Sequence, residues 1–284
     1  MTTSSNTELS KPEPSWGTAY RLIASEKWKA KSAVMGKDVT EALVEYAQPK
    51  PGMRVLDLAS GTGEPAVSLA VRVGAQGHVT ALDLSAELLD IAEKRALERG
   101  LDNFSTQQAD AQALPFADSS FDLATCRFGV MFFRDAVSAL LELRRVLRAE
   151  SRACFLAWGA FDQPYWRSTM GVVHRHVGGP LLPPSGPDPF RFAAPGSLSD
   201  VLQSAGFRDV QEETKTLPWI WPGTPEEVWE QAQAVSVPFR SMLDRVPAQM
   251  WPQIHADVRA AIEQYVAAEN IAFGASVVLA SGRK

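Results

Sequence analysis

The sequence predicts an α/β protein with a Rossmann-like, doubly wound sheet. Three observations carry that prediction. The run Val55–Ala66, VLDLASGTGEPA, reads as a buried strand, a glycine turn and the start of a helix. Two further strand runs, His78–Leu84 and Phe104–Ala111, carry the acids Asp83 and Asp110 at their carboxyl ends. Helical segments separate the strands: Gly63–Val73, Ala86–Arg99 and Asp135–Arg148. Strands alternating with helices build a parallel sheet, and such sheets bind ligands outside the carboxyl ends of their strands.

The elements follow in chain order. Residues 1–14 are expected to be a disordered tail. Trp16–Gln48 is mostly helical, with Tyr20, Ile23, Lys27 and Trp28 near helical spacing and a break at Gly36. In the first strand Val55, Leu56 and Leu58 are apolar, and Asp57 lies among them. Gly61 and Gly63 carry no Cβ, so the backbone there can turn sharply and approach a ligand. Ser85 caps the next helix, with Glu87 in the first turn, where the dipole favours negative charge. A fourth strand opens at Ser119-Ser120-Phe121-Asp122. The helix after it shows Val137, Leu140, Leu143 and Leu147 on one stripe and ends in Arg144, Arg145 and Arg148.

After Trp158 the pattern changes. Phe161–Arg191 holds a short helix with His174 and His176, then a segment with five prolines between Pro180 and Phe190. That density rules out regular helix and favours an extended, stiff path. Pro195–Gly206 is a helix closed by glycine. Phe207–Leu217 and Ile271–Ser281 are the last two strands, with helices between them. The expected organisation is one domain over residues 15–284, its core about 40–160 plus 192–284 and its lid from 15–48 and 160–191.

Bulk properties narrow the function. The chain has 284 residues and a net charge of −5, with no basic run, which argues against a dedicated nucleic-acid binder. No apolar stretch approaches the ~20 residues that span a bilayer, and the N-terminus lacks an apolar signal core. The only cysteines, Cys126 and Cys154, sit in apolar strands and read as reduced core thiols of a cytoplasmic protein. No metal site is expected: His174 and His176 are two apart, so on a helix they diverge. The glycine turn alone leaves the cofactor open. Gly61-x-Gly63-x-x-Ala66, with Asp83 20 residues beyond Gly63, also fits a nicotinamide-dinucleotide site.

Taken together, Val55–Ala66, Val79–Leu89, Asp110–Phe116, Ser119–Phe133 and Glu142–Leu147 resemble a class I S-adenosylmethionine-dependent methyltransferase. The likeness is nearest to the group containing the ubiquinone and menaquinone biosynthesis methyltransferases. It is strong over roughly residues 40–160 and weak over Phe192–Val210. It implies a seven-stranded sheet in the order 3-2-1-4-5-7-6, strand 7 antiparallel, with a mostly helical lid. It also implies S-adenosyl-L-methionine as cofactor and a small-molecule methyl acceptor. Two departures stand out. Ala59-Ser60 replaces the group's Gly-Cys or Gly-Ser, so the expected φ at Ala59 is negative. Ala149-Glu150-Ser151-Arg152 replaces a Lys-Pro-Gly-Gly turn, far from the cofactor.

The resemblance assigns roles. Asp83 would accept from the ribose hydroxyls, and Leu84 would pack under the adenine. Asp110 would accept from the adenine amino group, with the Ala111 N–H meeting a ring nitrogen. Asp57, Ala59, Ser60, Gly61 and Gly63 would surround the methionine end, with carbonyls at Ala59 and Arg127 for its ammonium. Asp57 can equally tie the turn together. Arg127, Phe128 and Met131 fall beside the transferable methyl. Phe128 would wall out water, and Arg127 would hold an anionic substrate or a backbone carbonyl. Trp28 either faces the sulfonium as a cation–π partner or simply packs between helices. His174 or His176 is a candidate base. Trp219 and Trp221 share one face of the sixth strand, where core packing or a subunit contact is expected. Two other functions stay open: a nicotinamide-dependent oxidoreductase, and a catalytically silent S-adenosylmethionine-binding protein.

Overall fold

The computed structural model describes the backbone of residues 18–284 and the side chains from Lys27 onward. The tail expected over residues 1–14 and the side chain of Tyr20 lie outside the described residues. The first helical stretch divides at Gly36 into α1 (Thr18–Met35) and α2 (Lys37–Ala47). A Cβ at Gly36 would stand 2.5 Å from a guanidinium nitrogen of Arg127, so glycine there admits that side chain.

The sheet-building half follows: β1 (Arg54–Leu58), α3 (Ala66–Val73), β2 (His78–Asp83), α4 (Ala86–Glu98), β3 (Phe104–Gln108), β4 (Phe121–Arg127), α5 (Ala136–Val146) and β5 (Leu147–Trp158). Val55, Leu56 and Leu58 are fully buried, as a central strand covered on both faces requires. Each such side chain contributes about 1.5–3 kcal/mol of burial. Ser85 caps α4 by accepting from the Leu88 N–H. Helix α5 buries Ala136, Ala139, Leu140, Leu143 and Val146 and ends at Val146. The expected helix to Arg148 is therefore two residues too long. Arg148 belongs to β5, where its guanidinium bonds the Ser119 carbonyl and the Asp122 carboxylate.

The remaining elements are α6 (Pro164–Ser168), α7 (Met170–Val177), α8 (Ser197–Ser204), β6 (Arg208–Pro222), α9 (Pro225–Val235), α10 (Arg240–Leu243), α11 (Trp251–Glu263), β7 (Val266–Ala267) and β8 (Asn270–Arg283). The strand order is β3-β2-β1-β4-β5-β8-β6, with β7 paired to β8. The first five strands run parallel, and β8 is antiparallel to both neighbours. The expected order holds, the two-residue β7 being the one addition.

Strand β6 passes the expected end at Leu217 and continues through Pro218 to Pro222. Proline lacks an N–H, but β6 is an edge strand, where a missing donor is tolerated. Its pairing with β8 runs on to Pro222↔Asn270, whereas β5 ends at Trp158↔Val277. The β6–β8 ribbon thus overhangs the carboxyl edge of the sheet and carries Trp219 above it.

Candidate active site

The glycine turn after β1 is held from both sides. The Asp83 carboxylate accepts from the Gly61 N–H at 2.9 Å and from the Ser85 N–H at 3.0 Å. The Ser60 N–H donates to the Leu82 carbonyl, and its hydroxyl donates to the Asp57 carbonyl. At Gly63, φ is +105°, and a Cβ would lie 3.1 Å from Ala92 on α4, so glycine permits the close approach of turn and helix.

Ala59 corrects the expectation from sequence: its φ is +52°. An L-residue in the left-handed region costs roughly 1–2 kcal/mol. Phe128, at the end of β4, has φ +55°. Both residues line the same cavity, so two left-handed non-glycine residues meet where the strands end. Ala59→Gly is accordingly expected to stabilise the chain by about 0.5–1 kcal/mol, the relieved strain exceeding the added unfolded-state entropy. Urea unfolding checks this, and a destabilised variant would contradict it.

The cavity is about 630 Å³ and opens at the carboxyl ends of β1, β4 and β5. Its floor holds Ala59, Ser60, Gly61, Arg127 and Phe128. One wall is aromatic. The Phe128 ring stacks on Trp158 with centroids 4.3 Å apart, and Trp219 meets Trp158 edge-on at 5.2 Å. Tyr165 and Trp166, on α6, complete that wall, with Gln231 and Val235 from α9. Residues of α1 from Lys29 to Met35 form the opposite side. Ion pairs tie α1 across the cavity: Lys29 to Glu98 on α4, and Lys27 and Lys31 to Glu230 and Glu227 on α9. Exposed pairs of this kind contribute at most about 1 kcal/mol each.

Asp57 is fully buried behind the turn. One carboxylate oxygen accepts from the Thr125 hydroxyl at 2.6 Å, and the other has no partner. Burial pushes its pKa up to about 7, against the smaller opposing effects of the Thr125 and Ser60 hydroxyls and of Arg127. Burial also pulls Arg127 below the ordinary arginine value. Its Nε is buried without a partner, and its terminal nitrogen stands 3.5 Å from the Gly36 carbonyl. Cys126 and Cys154 are buried free thiols, both raised by burial.

The structure brings Ala59, Ser60, Gly61, Arg127 and Phe128 together at the cavity, whereas Asp57, fully buried on β1, and Gly63, packed on α4, do not line it. Asp83, Leu84, Asp110 and Ala111 lie along the edge beyond it. Leu84 is 57% exposed, an apolar surface available to a ring. Asp110 closes its own turn by accepting from the Gln112 N–H. Three candidates fall elsewhere. Trp28 is buried against Trp221, ring centroids 5.4 Å apart, which is the packing alternative. His174 does not reach the cavity: its ring bonds the Gly179 carbonyl just past its own helix, and His176 pairs with Asp257 on α11. The proline-rich segment reaches the site only indirectly, through Phe190 packed on Trp166. Sequence reasoning missed Trp158, Tyr165, Trp166, Trp219 and Gln231. Trp158, an aromatic at a parallel-strand end, carried a readable signal; Gln231 carried none.

Sheet order, glycine turn and covered cavity define a Rossmann-like methyltransferase fold. The model of the ubiE/COQ5 methyltransferase family matches residues 32–177. Ubiquinone/menaquinone biosynthesis C-methyltransferase UbiE of Xanthomonas oryzae pv. oryzae is 48% identical over 125 residues, which are 44% of this chain and 49% of that protein. The chain thus spans about half the length of the curated relatives it matches. A SAM dependent methyltransferase from Aquifex aeolicus superposes with a TM-score of 0.52 at 21% identity, over 69% of this chain and 90% of that one. The YcgJ protein of Bacillus subtilis gives 0.56 at 21% identity, over 86% and 97%. These two likenesses concern the fold. The chain belongs to the ubiE/COQ5 methyltransferase family. That membership favours a methyl donor over the nicotinamide dinucleotide that the glycine turn alone left open.

Proposed function

We propose that this chain transfers a methyl group from S-adenosyl-L-methionine to a compact small-molecule acceptor by in-line displacement. One observation carries the reading: the glycine turn and an aromatic wall converge on one cavity at the strand ends, and the strand that leads into the turn carries a buried carboxylate oxygen without a partner at Asp57. The donor set suits the cofactor. Asp83 keeps unused lone pairs for ribose hydroxyls. Asp57 and the Ala59 carbonyl supply acceptors for the ammonium of the methionine end. A Cβ built at Gly61 would meet nothing within 4 Å, so the turn leaves room for a ligand.

When bound, S-adenosyl-L-methionine supplies a methyl group already activated by its sulfonium. The protein's task is then to align the acceptor and exclude water. Alignment is worth on the order of 7–11 kcal/mol. Phe128, Trp158 and Trp219 exclude water, and α1, α6 and α9 act as the cover. That assigns α9, outside the lid segments expected from sequence, to the lid. Arg127 holds negative charge on the acceptor, and no histidine base is invoked. A cytoplasmic location is part of this reading and accords with the two buried free thiols.

Thermal unfolding tests the proposal. S-adenosylhomocysteine at 100 times its Kd is expected to stabilise the chain by about 2.7 kcal/mol, and NAD to leave the melting temperature unchanged. A shift with NAD and none with S-adenosylhomocysteine would reverse the assignment.

A further inference from the structure

The aromatic wall contains one side-chain amide. Gln231 on α9 is buried, and its Oε1 accepts from the Tyr165 hydroxyl at 3.1 Å. Its Nε2 has no hydrogen-bond partner among the described residues, and the residue lines the cavity beside Trp158, Trp166 and Trp219. Tyr165 is itself fixed by edge contacts with Trp166 and Phe273. An amide whose acceptor end is tied and whose donor end is free is a directional donor in apolar surroundings. Leaving such a group unpaired costs about 1–3 kcal/mol, so a ligand that pairs it is favoured over an isostere that does not. Charge narrows the ligand further. Arg127 stands at the floor with its Nε unpartnered, and the cavity's carboxylates Glu64 and Glu98 are held in ion pairs with Arg99 and Lys29, so the charge left unpaired in the cavity is positive and favours an uncharged or anionic acceptor.

We propose that Gln231 is the specificity-determining residue of the acceptor subsite, and Tyr165 its positioning residue. The Gln231 amide donates to a ring-borne oxygen of a flat, uncharged or anionic aromatic acceptor lying against Trp158 and Trp219. The proposal rests on the methyl-transfer reading and adds the residue that selects the acceptor. Gln231 falls outside residues 32–177, the part of the chain matched by the family model.

The test uses the full chain saturated with S-adenosylhomocysteine, titrated calorimetrically with 1-indanone and with indane, a matched bicyclic pair differing in one carbonyl. The wild-type protein is expected to bind 1-indanone about fivefold more tightly. Gln231→Leu removes that preference and leaves indane affinity within about twofold. Tyr165→Phe reduces the preference without changing indane affinity, an outcome that a merely structural role would not give. Gln231→Met serves if the leucine variant fails to fold. A preference that survives in Gln231→Leu or Gln231→Met, an equal loss of both ligands there, or a wild-type chain that shows no preference overturns the proposal. Failure of S-adenosylhomocysteine to bind the wild-type chain is a separate result, and it overturns the methyl-transfer reading itself.

Discussion

Asp83→Ala is expected to weaken S-adenosylhomocysteine binding by about 10–100-fold, because hydrogen bonds to a charged acceptor are worth about 1.5–3 kcal/mol each. From sequence, an acid at a strand end looks dispensable for folding. The structure changes that expectation. The same carboxylate accepts from the Gly61 and Ser85 N–H groups, so its loss leaves two sheltered donors unpaired. A stability loss of about 2–4 kcal/mol should accompany the binding defect. Asp83→Asn keeps one acceptor oxygen and should lie between wild type and alanine in both respects. Calorimetric titration and urea unfolding on the same preparations separate the two effects. Unchanged affinity in the alanine variant would mean that the ribose is held elsewhere.

The second large effect concerns pH. Burial raises the Asp57 pKa in the folded chain to about 7, above its unfolded value near 3.8. Between those values the folded state holds a proton that the unfolded state has released. The contribution is therefore fully present below about pH 4 and is lost as pH rises to about 7. The difference is on the order of 4 kcal/mol. Asp57→Asn should remove this slope and make the unliganded chain more stable than wild type at pH 8. The cofactor has the opposite interest. Its cationic methionine end favours the ionised carboxylate, so binding should expel a proton, and affinity for S-adenosyl-L-methionine should rise from pH 6 through pH 7 and level off above about pH 8. Titration in buffers of different ionisation enthalpy reads the released proton directly. No buffer dependence would remove Asp57 from the cofactor's surroundings.

Much of the fold was legible because local rules and global topology agree. Gly36 divides α1 from α2, Ser85 caps α4, and the apolar run of β1 is buried as a central strand. Errors arose where a local rule yielded to tertiary context. Pro218 reads as a strand end, yet an edge strand accommodates it, and Trp219 is carried over the site as a result. Alanine normally avoids positive φ, yet Ala59 takes it, because Ser60 and Gly61 on its C-terminal side are pinned to β2. Trp28 and His174 have side chains suited to the chemistry, but helix packing faces one toward Trp221 and the other toward Gly179.

The sequence by itself determined the class of protein and the part of the candidate site built around the glycine turn. Turn, strand-end acids and cap sit at the ends of three successive parallel strands, Gly61 and Asp83 being 22 residues apart, so the right-handed strand–helix–strand crossover places them along one sheet edge whatever the rest of the chain does. Tertiary structure alone decided the aromatic half. Trp158, Tyr165, Trp219 and Gln231 come from β5, α6, β6 and α9, separated by up to 73 residues, and only the β6–β8 overhang and the docking of α9 bring them together. No spacing rule encodes such a meeting. It follows from which buried faces pack against each other, and that depends on the whole chain at once.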